Sequence, residues 1–192
     1  MAINESDVIK VTDLLRGHLF DFVIAGGYCR DKILGREPKD VDIVVFNYHP
    51  QDIAEAMFTS QLFDKLGELT AVELYSHYDG ALDERVHGVL KLPEMNIDII
   101  FYVEQYRTSQ QVIHDFDCNI NQFYIPSSIP NFDEGHPVLD LSKIAHIDGN
   151  LDRFTMRAEG RCCERLEANW ERYLAYQDML ADGKPVPYVT PY

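Results

Sequence analysis

A Gly-Gly pair closing one apolar strand and a D-x-D opening the next constrain this chain more than any other feature. Both lie in VIAGGYCRDKILGREPKDVDIVVF, residues 23–46. Side chains alternate along a strand, so Asp40 and Asp42 point to one face, which otherwise carries Val44 and Phe46. Two unpaired carboxylates about 4 Å apart repel by roughly 4 kcal/mol at an effective dielectric of about 20. A divalent cation removes that penalty, and a Gly-Gly turn at a helix start can cradle the phosphates that accompany the cation. Alone, D-x-D is commonly a solvated strand edge and Gly-Gly a plain turn. Together, at this spacing, they read as a site for a metal-bound nucleotide.

A length of 192 residues suits one domain, or one domain with a short appendage, and is enough for a substantial core. No run approaches the ~20 apolar residues of a membrane span, and the N-terminus lacks a basic-then-apolar signal, so a cytoplasmic protein without membrane contact is expected. Cys29, Cys118, Cys162 and Cys163 lack metal-ligand spacing and read as buried thiols of a reducing compartment. The seven His are scattered, which argues against zinc.

The net charge of −15 opposes binding of a long polyanion. The basic residues are partly concentrated: Arg153, Arg157, Arg161 and Arg165 recur every four residues, with Arg172 beyond. On a helix this spacing makes one slowly drifting stripe. For Arg165 and Arg172 the reading preferred is a solvated face paired with Glu159, Glu164, Glu167 and Glu171; for Arg157 and Arg161 it is ligand contact.

The order of elements predicts an α+β fold. A helix is expected over 6–18, capped near Ser6, with Ile9, Leu14 and Leu15 facing inward. A strand follows at 21–25, a short helix at 27–34 ending at Gly35, and a strand at 40–47. Apolar spacing places a helix at 51–66, then strands at 69–76, 86–91 and 95–103. A helix is expected over 107–116, an irregular Pro-rich stretch from 125 to 137, and a last helix over 151–182. The closing GKPVPYVTPY contains prolines that forbid helix and reads as a loosely attached tail.

Asp98 stands inside the apolar run MNIDIIFY, residues 95–102. An isolated buried carboxylate costs several kcal/mol or becomes neutral, so it needs a partner. Arg85 or Arg30 would serve, and so would a cation shared with Asp40 and Asp42.

From Gly26 to Asp42 the sequence resembles the signature of the class II CCA-adding enzyme and bacterial poly(A) polymerase head domain, within the DNA polymerase β-like nucleotidyltransferase superfamily. That signature runs G-G-x-V-R-D-x-L-L-G, four variable positions, then D-x-D. Gly26, Gly27, Arg30, Asp31, Leu34, Gly35, Asp40 and Asp42 fall on it without a gap, while Cys29 and Ile33 are mild replacements. IDIIFY resembles the family's I-D-V-A-T-F, which carries a third acid on a neighbouring strand. HDFDCNINQF, 114–123, is similar to its R-R-D-F-T-x-N through Asp115, Phe116 and Asn119, with Ile113 and His114 where the paired arginines would stand. LDRFTMRAEGRCCERL is similar to its L-R-A-x-R-F helix through Arg157, Ala158 and Arg161. The base-reading E-D-x-x-R is replaced by NLDRF, 150–154.

The resemblance implies a polymerase β-like fold: a mixed sheet of about five strands flanked by helices, with a short C-terminal helical neck. The expected division is a head at 1–146, a neck at 147–182 and a tail at 183–192. The implied activity transfers a nucleotide from an NTP to an acceptor hydroxyl with release of pyrophosphate, using two Mg²⁺ or Mn²⁺ ions held by Asp40, Asp42 and Asp98. Gly26, Gly27, Arg30, Asp115, Asn119, Arg157 and Arg161 are the implied nucleotide-binding residues. Arg30 has two readings, a phosphate ligand or a scaffold partner of Asp31 or Asp42. An RNA or tRNA 3′ end is the first acceptor considered. The others are a small molecule or protein side chain, which the acidic surface suits, and no acceptor at all in a silent nucleotide-binding module. A protein partner or a second copy is left open.

Overall fold

A computed structural model describes residues 2–49, 61–76, 84–103, 105–129, 137–148, 151–156 and 162–184; the side chains of residues 61, 76 and 162–164 are not described. Thus Arg157 and Arg161, most of the helix expected at 51–66, and most of the tail lie outside the described residues.

Helix α1, Glu5–Gly17, is capped by Asn4, whose side chain accepts from the Ser6 N–H. Ser6 therefore lies inside the helix, and the cap stands two residues earlier than expected. The buried positions are Val8, Val11, Thr12 and Leu15. Ile9 is 40% exposed, because the inward stripe follows the i, i+3, i+4, i+7 spacing set by Val8 rather than by Ile9. Next come β1, Asp21–Ile24, the short α2, Gly27–Ile33, and β2, Val41–Phe46.

Helix α3 is Gln61–Leu69, so Leu69 closes a helix and strand β3 starts only at Glu73, running to Ser76. Strands β4, Val86–Leu92, and β5, Ile97–Tyr102, form a tight hairpin. Helix α4, Ser109–His114, has a capping box made by Thr108 and Gln111. The short strands β6, Phe123–Tyr124, and β7, Ala145–His146, pair with each other. Helix α5 is Cys162–Ala181.

Residues 151–156 are not helical, so the last helix does not begin at 151. Asn119 takes their backbone for itself: its side chain donates to Arg153 O at 2.7 Å and accepts from Thr155 N at 3.0 Å. Gly183, at φ +68, ends α5, with Lys184 N bonding back to Met179 O.

The main sheet has the order β1-β2-β5-β4-β3, with β2 and β5 parallel and every other pair antiparallel. It is the mixed five-stranded sheet of an α+β fold. Alternation divides its side chains between two apolar layers. Val41, Ile43, Val45, Ile97, Ile99 and Phe101 join the layer that also contains Val8, Leu15, Leu62, Leu66, Tyr173 and Tyr176 of the surrounding helices. Val44, Phe46, Val89 and Tyr102 join the opposite layer, with Val112 and Ile113 of α4. Among the described residues, no helix is long and apolar enough to cross a membrane. Cys29 and Cys118 are buried free thiols.

Candidate active site

The turn between β1 and α2 requires glycine at Gly26, whose backbone sits at φ 84 and ψ −135, a region open essentially to glycine alone. Space is not the constraint there. A Cβ on Gly26 would lie 3.6 Å from the Phe116 ring and 3.7 Å from Asp42 Oδ2, both ordinary contacts. Those same contacts show that the glycine turn abuts the D-x-D strand. The Gly26 N–H donates to Phe123 O at 2.9 Å, so it is engaged within the fold. The first N–H groups of α2, from Gly27, have no partner four residues back within the helix.

Asp40 is exposed just before β2, and Asp42 is partly buried within it. Asp42 is paired in register with Asp98 on the parallel neighbour β5. Asp98 is in turn paired with Lys91 on β4, and Lys91 Nζ stands 3.1 Å from Asp98 Oδ2. Asp42, Asp98 and Lys91 thus form a row across three strands, on the face that carries Val44, Ile100 and Val89 two residues further along. The partner of Asp98 is neither Arg85 nor Arg30 but Lys91. The sequence contained a signal for this pairing, because a hairpin turning at Pro93–Asn96 sets Leu92 opposite Ile97 and hence Lys91 opposite Asp98.

Burial, then repulsion from Asp40 and Asp98, pushes the Asp42 carboxyl from 3.8 up to about 7; Lys91 and Arg30 offset part of this. Among the described residues, no three His, Cys, Asp or Glu groups already converge as a cation cage. The donor set nonetheless fits Mg²⁺ or Mn²⁺. Its donors are carboxylate oxygens, with Asp42 and Asp98 in register on adjacent strands.

Arg30 is 7% exposed and donates to Asp31 Oδ1 at 2.7 Å and to Asn121 Oδ1 at 2.6 Å. Of its two readings, the contacts present are those of a scaffold. Asp115 is likewise engaged: it accepts from the Tyr106 hydroxyl, lies 3.5 Å from Arg85 Nη1, and its carbonyl accepts from that same guanidinium. Asn119 clips residues 153–155 as described. His114 is exposed at the end of α4. Arg85, Tyr106 and Asn121 are contacts that residue patterns did not reveal, since each depends on long-range packing.

Two of the hollows among the described residues differ in their distance from this region. One of about 160 Å³ is lined by His114, Phe116, Asn119, Gln122 and Thr155, and Phe116 ties it to the glycine turn. The other, about 800 Å³, lies at the far end of β5, lined by Arg85, Tyr106 and Arg107, away from the carboxylates.

Residues 22–76, fewer than a third of the 192, match the family model described as "Poly A polymerase head domain". The resemblance to the poly(A) polymerase head domain is borne out over this segment, which holds both the glycine turn and the D-x-D. No curated protein matches the chain. Among solved structures, a tRNA nucleotidyltransferase complexed with a primer tRNA and an incoming ATP analog is 20% identical, over 68% of this chain and 34% of that one, at TM-score 0.40. A CCA-adding enzyme with ATP is 18% identical over 72% and 31%, at TM-score 0.44. A Bacillus stearothermophilus CCA-adding enzyme in complex with CTP is 15% identical over 91% and 38%, at TM-score 0.40. The chain spans about a third of the length of these structures.

Proposed function

We propose that this chain, whose residues 22–76 match the poly(A) polymerase head domain, is a metal-dependent nucleotidyltransferase that moves a nucleoside monophosphate from an NTP to an acceptor hydroxyl. The observation that carries this reading is the meeting, at one end of the sheet, of a glycine turn and carboxylates on two adjacent strands. Asp42 Oδ2 lies 3.7 Å from where a Gly26 Cβ would stand, and Asp98 is its register partner.

In this reading Asp40, Asp42 and Asp98 would together hold the two Mg²⁺ or Mn²⁺ ions. When bound, the ions lower the acceptor hydroxyl's pKa and neutralise charge on the triphosphate, as in other two-metal sites. The chain's own part is orientation. The absence of a side chain at Gly26 leaves the triphosphate room beside Asp42. The first turn of α2, from Gly27, presents N–H groups to phosphate oxygens. Arg30 holds the turn to Asn121 and so keeps α2 in place. The acceptor oxygen forms a bond to the α-phosphorus as the bond from that phosphorus to the pyrophosphate oxygen breaks, and the hydroxyl proton leaves to solvent. Asp115 and Asn119 act here by holding the walls around the nucleotide, and Arg157 and Arg161 as phosphate contacts from the neck.

An RNA 3′ end, such as that of tRNA, is the acceptor we favour, because the motifs this chain resembles are those of RNA-tailing enzymes. The net charge of −15 favours a second reading, transfer to a small molecule or a protein side chain. Incubation with Mg²⁺, each labelled NTP and total tRNA, beside a no-RNA lane and an Asp40→Asn/Asp42→Asn variant, separates the two. Label on tRNA that is absent with the variant supports RNA tailing. NTP consumption or protein labelling without label on RNA supports the second reading. No turnover with any NTP overturns transferase activity and leaves a silent nucleotide-binding module.

A further inference from the structure

We propose that Lys91 is a built-in counter-ion that competes with the divalent cation for Asp98, and so sets the cation concentration at which the site fills. It would be a positioning residue, acting through Asp98 rather than on the nucleotide. This inference rests on the reading of Asp98 as a cation ligand.

The geometry is that of a row of charges. Asp42, Asp98 and Lys91 are register partners across β2, β5 and β4, all on the same face of the sheet. The Lys91 ammonium stands 3.1 Å from Asp98 Oδ2, with the Lys91 side chain 43% and the Asp98 side chain 23% exposed. On its other side Lys91 is held by the edge strand β3: its Nζ lies 5.7 Å from the centre of the Tyr75 ring, and Glu73 is its register partner. The Lys91 ammonium, in one position, therefore lies between Asp98 and the Tyr75 ring.

A monovalent ammonium satisfies one carboxylate but leaves Asp40 and Asp42 facing each other, so a divalent ion still gains by entering. It enters against the field of a Lys91 ammonium that the Asp98 carboxylate holds beside the site. A unit charge about 6 Å from a divalent ion, at a dielectric near that of water, weakens its binding roughly tenfold. Lys91 thus keeps the free protein's carboxylates partly compensated while raising the cation concentration needed to fill the site.

The test is Mn²⁺ binding to the full chain without NTP, followed by the electron paramagnetic resonance signal of free Mn²⁺, for wild type, Lys91→Gln, Lys91→Arg, Asp98→Asn and Lys91→Gln/Asp98→Asn. The expected result is roughly tenfold tighter binding in Lys91→Gln, wild-type affinity in Lys91→Arg, and no effect of the Lys91 substitution once Asp98 is Asn. Equal or weaker binding in Lys91→Gln overturns the role of Lys91 while wild-type Mn²⁺ binding leaves the metal site standing. A gain that persists in the Asp98→Asn background overturns action through Asp98. No Mn²⁺ binding by wild type and every variant overturns both this role and the metal-dependent reading.

Discussion

In the folded chain Asp42 exchanges water for a place beside Asp40 and Asp98, and its carboxyl is pushed from 3.8 up to about 7. Between those two values the folded state binds a proton that the unfolded state has released. Stability of the metal-free protein is therefore fullest below about pH 4 as far as this group is concerned, and is lost as pH rises toward and through about 7. The full shift corresponds to a few kcal/mol, on the order of 4. Urea denaturation in EDTA should show a less stable protein at pH 8 than at pH 5, with the slope flattened in Asp42→Asn and stability at pH 8 recovered by added Mg²⁺. A steeper loss toward low pH, with no change in Asp42→Asn, would sink this account. Gly26 offers a second residue-scale check. Ala at Gly26 meets only ordinary contacts but inherits φ 84, so Gly26→Ala should cost about 1–3 kcal/mol. Gly35→Ala, at φ 65 with nothing within 4 Å, should lose stability too. Only Gly26→Ala should lose nucleotide binding beyond what its stability explains, as fluorescent-nucleotide titration would show. The glycine turn and the acids were legible because each is an exception to local rules: glycines at a helix start, charges in apolar strands. Lys91 and Asn121 were not singled out, because a charged or polar side chain at a half-exposed position breaks no rule until register or packing supplies its partner.

At the level of elements, strands were easier to read than helix ends. The run VDIVVF and the run IDIIFY are both central strands, bounded within two residues of the expected limits. Their β-branched residues pack on both faces of the sheet, which leaves a strong sequence trace. Helix limits instead depend on single capping residues. Asn4 rather than Ser6 caps α1, and Thr108 caps α4, whose first helical residue is Ser109, two residues after the expected start at 107. The start of the last helix failed for a long-range reason, since Asn119 bonds both Arg153 O and Thr155 N across more than thirty residues. The capping box of α4 gives a direct prediction. Thr108→Ala removes the bond to the Gln111 N–H and should destabilise the protein by about 1 kcal/mol in chemical denaturation. Gln111→Ala should cost a similar or smaller amount, and the double substitution less than the sum, because the two bonds close one reciprocal motif.

Across the whole molecule, charge and core pull on the proposed function in different ways. The chain carries 17 basic against 32 acidic residues, which repels polyanions at long range. Yet the Arg172 guanidinium is held below its usual range first by burial and then by repulsion from Arg30, with Arg36 and Arg165 adding to it and Asp31 opposing. Part of the positive charge is therefore gathered where α5 meets α2. Association with tRNA, measured by filter binding, should be detectable only at low salt, with a slope in log salt corresponding to about two to four phosphate contacts. A salt-independent affinity would remove Arg36, Arg165 and Arg172 from the account. The same junction bears on the head at 1–146 and neck at 147–182 that we propose. Tyr173 and Tyr176 of α5, 8% and 1% exposed, lie in the same apolar layer as Val41, Ile43 and Ile97 of the sheet. Within the neck itself, Gln177 donates to Leu151 O at 2.7 Å and Tyr173 to Asp152 O at 3.2 Å. A neck that shares the core of its head cannot unfold on its own terms. Calorimetry should give one transition for the full chain, and a chain ended at residue 156 should aggregate or melt at least about 10 °C lower, since losing two buried tyrosines forfeits several kcal/mol. Two separated transitions, or a shortened chain that melts like the full one, would show instead that the helix is an appendage and that its arginines are free to move relative to the carboxylates.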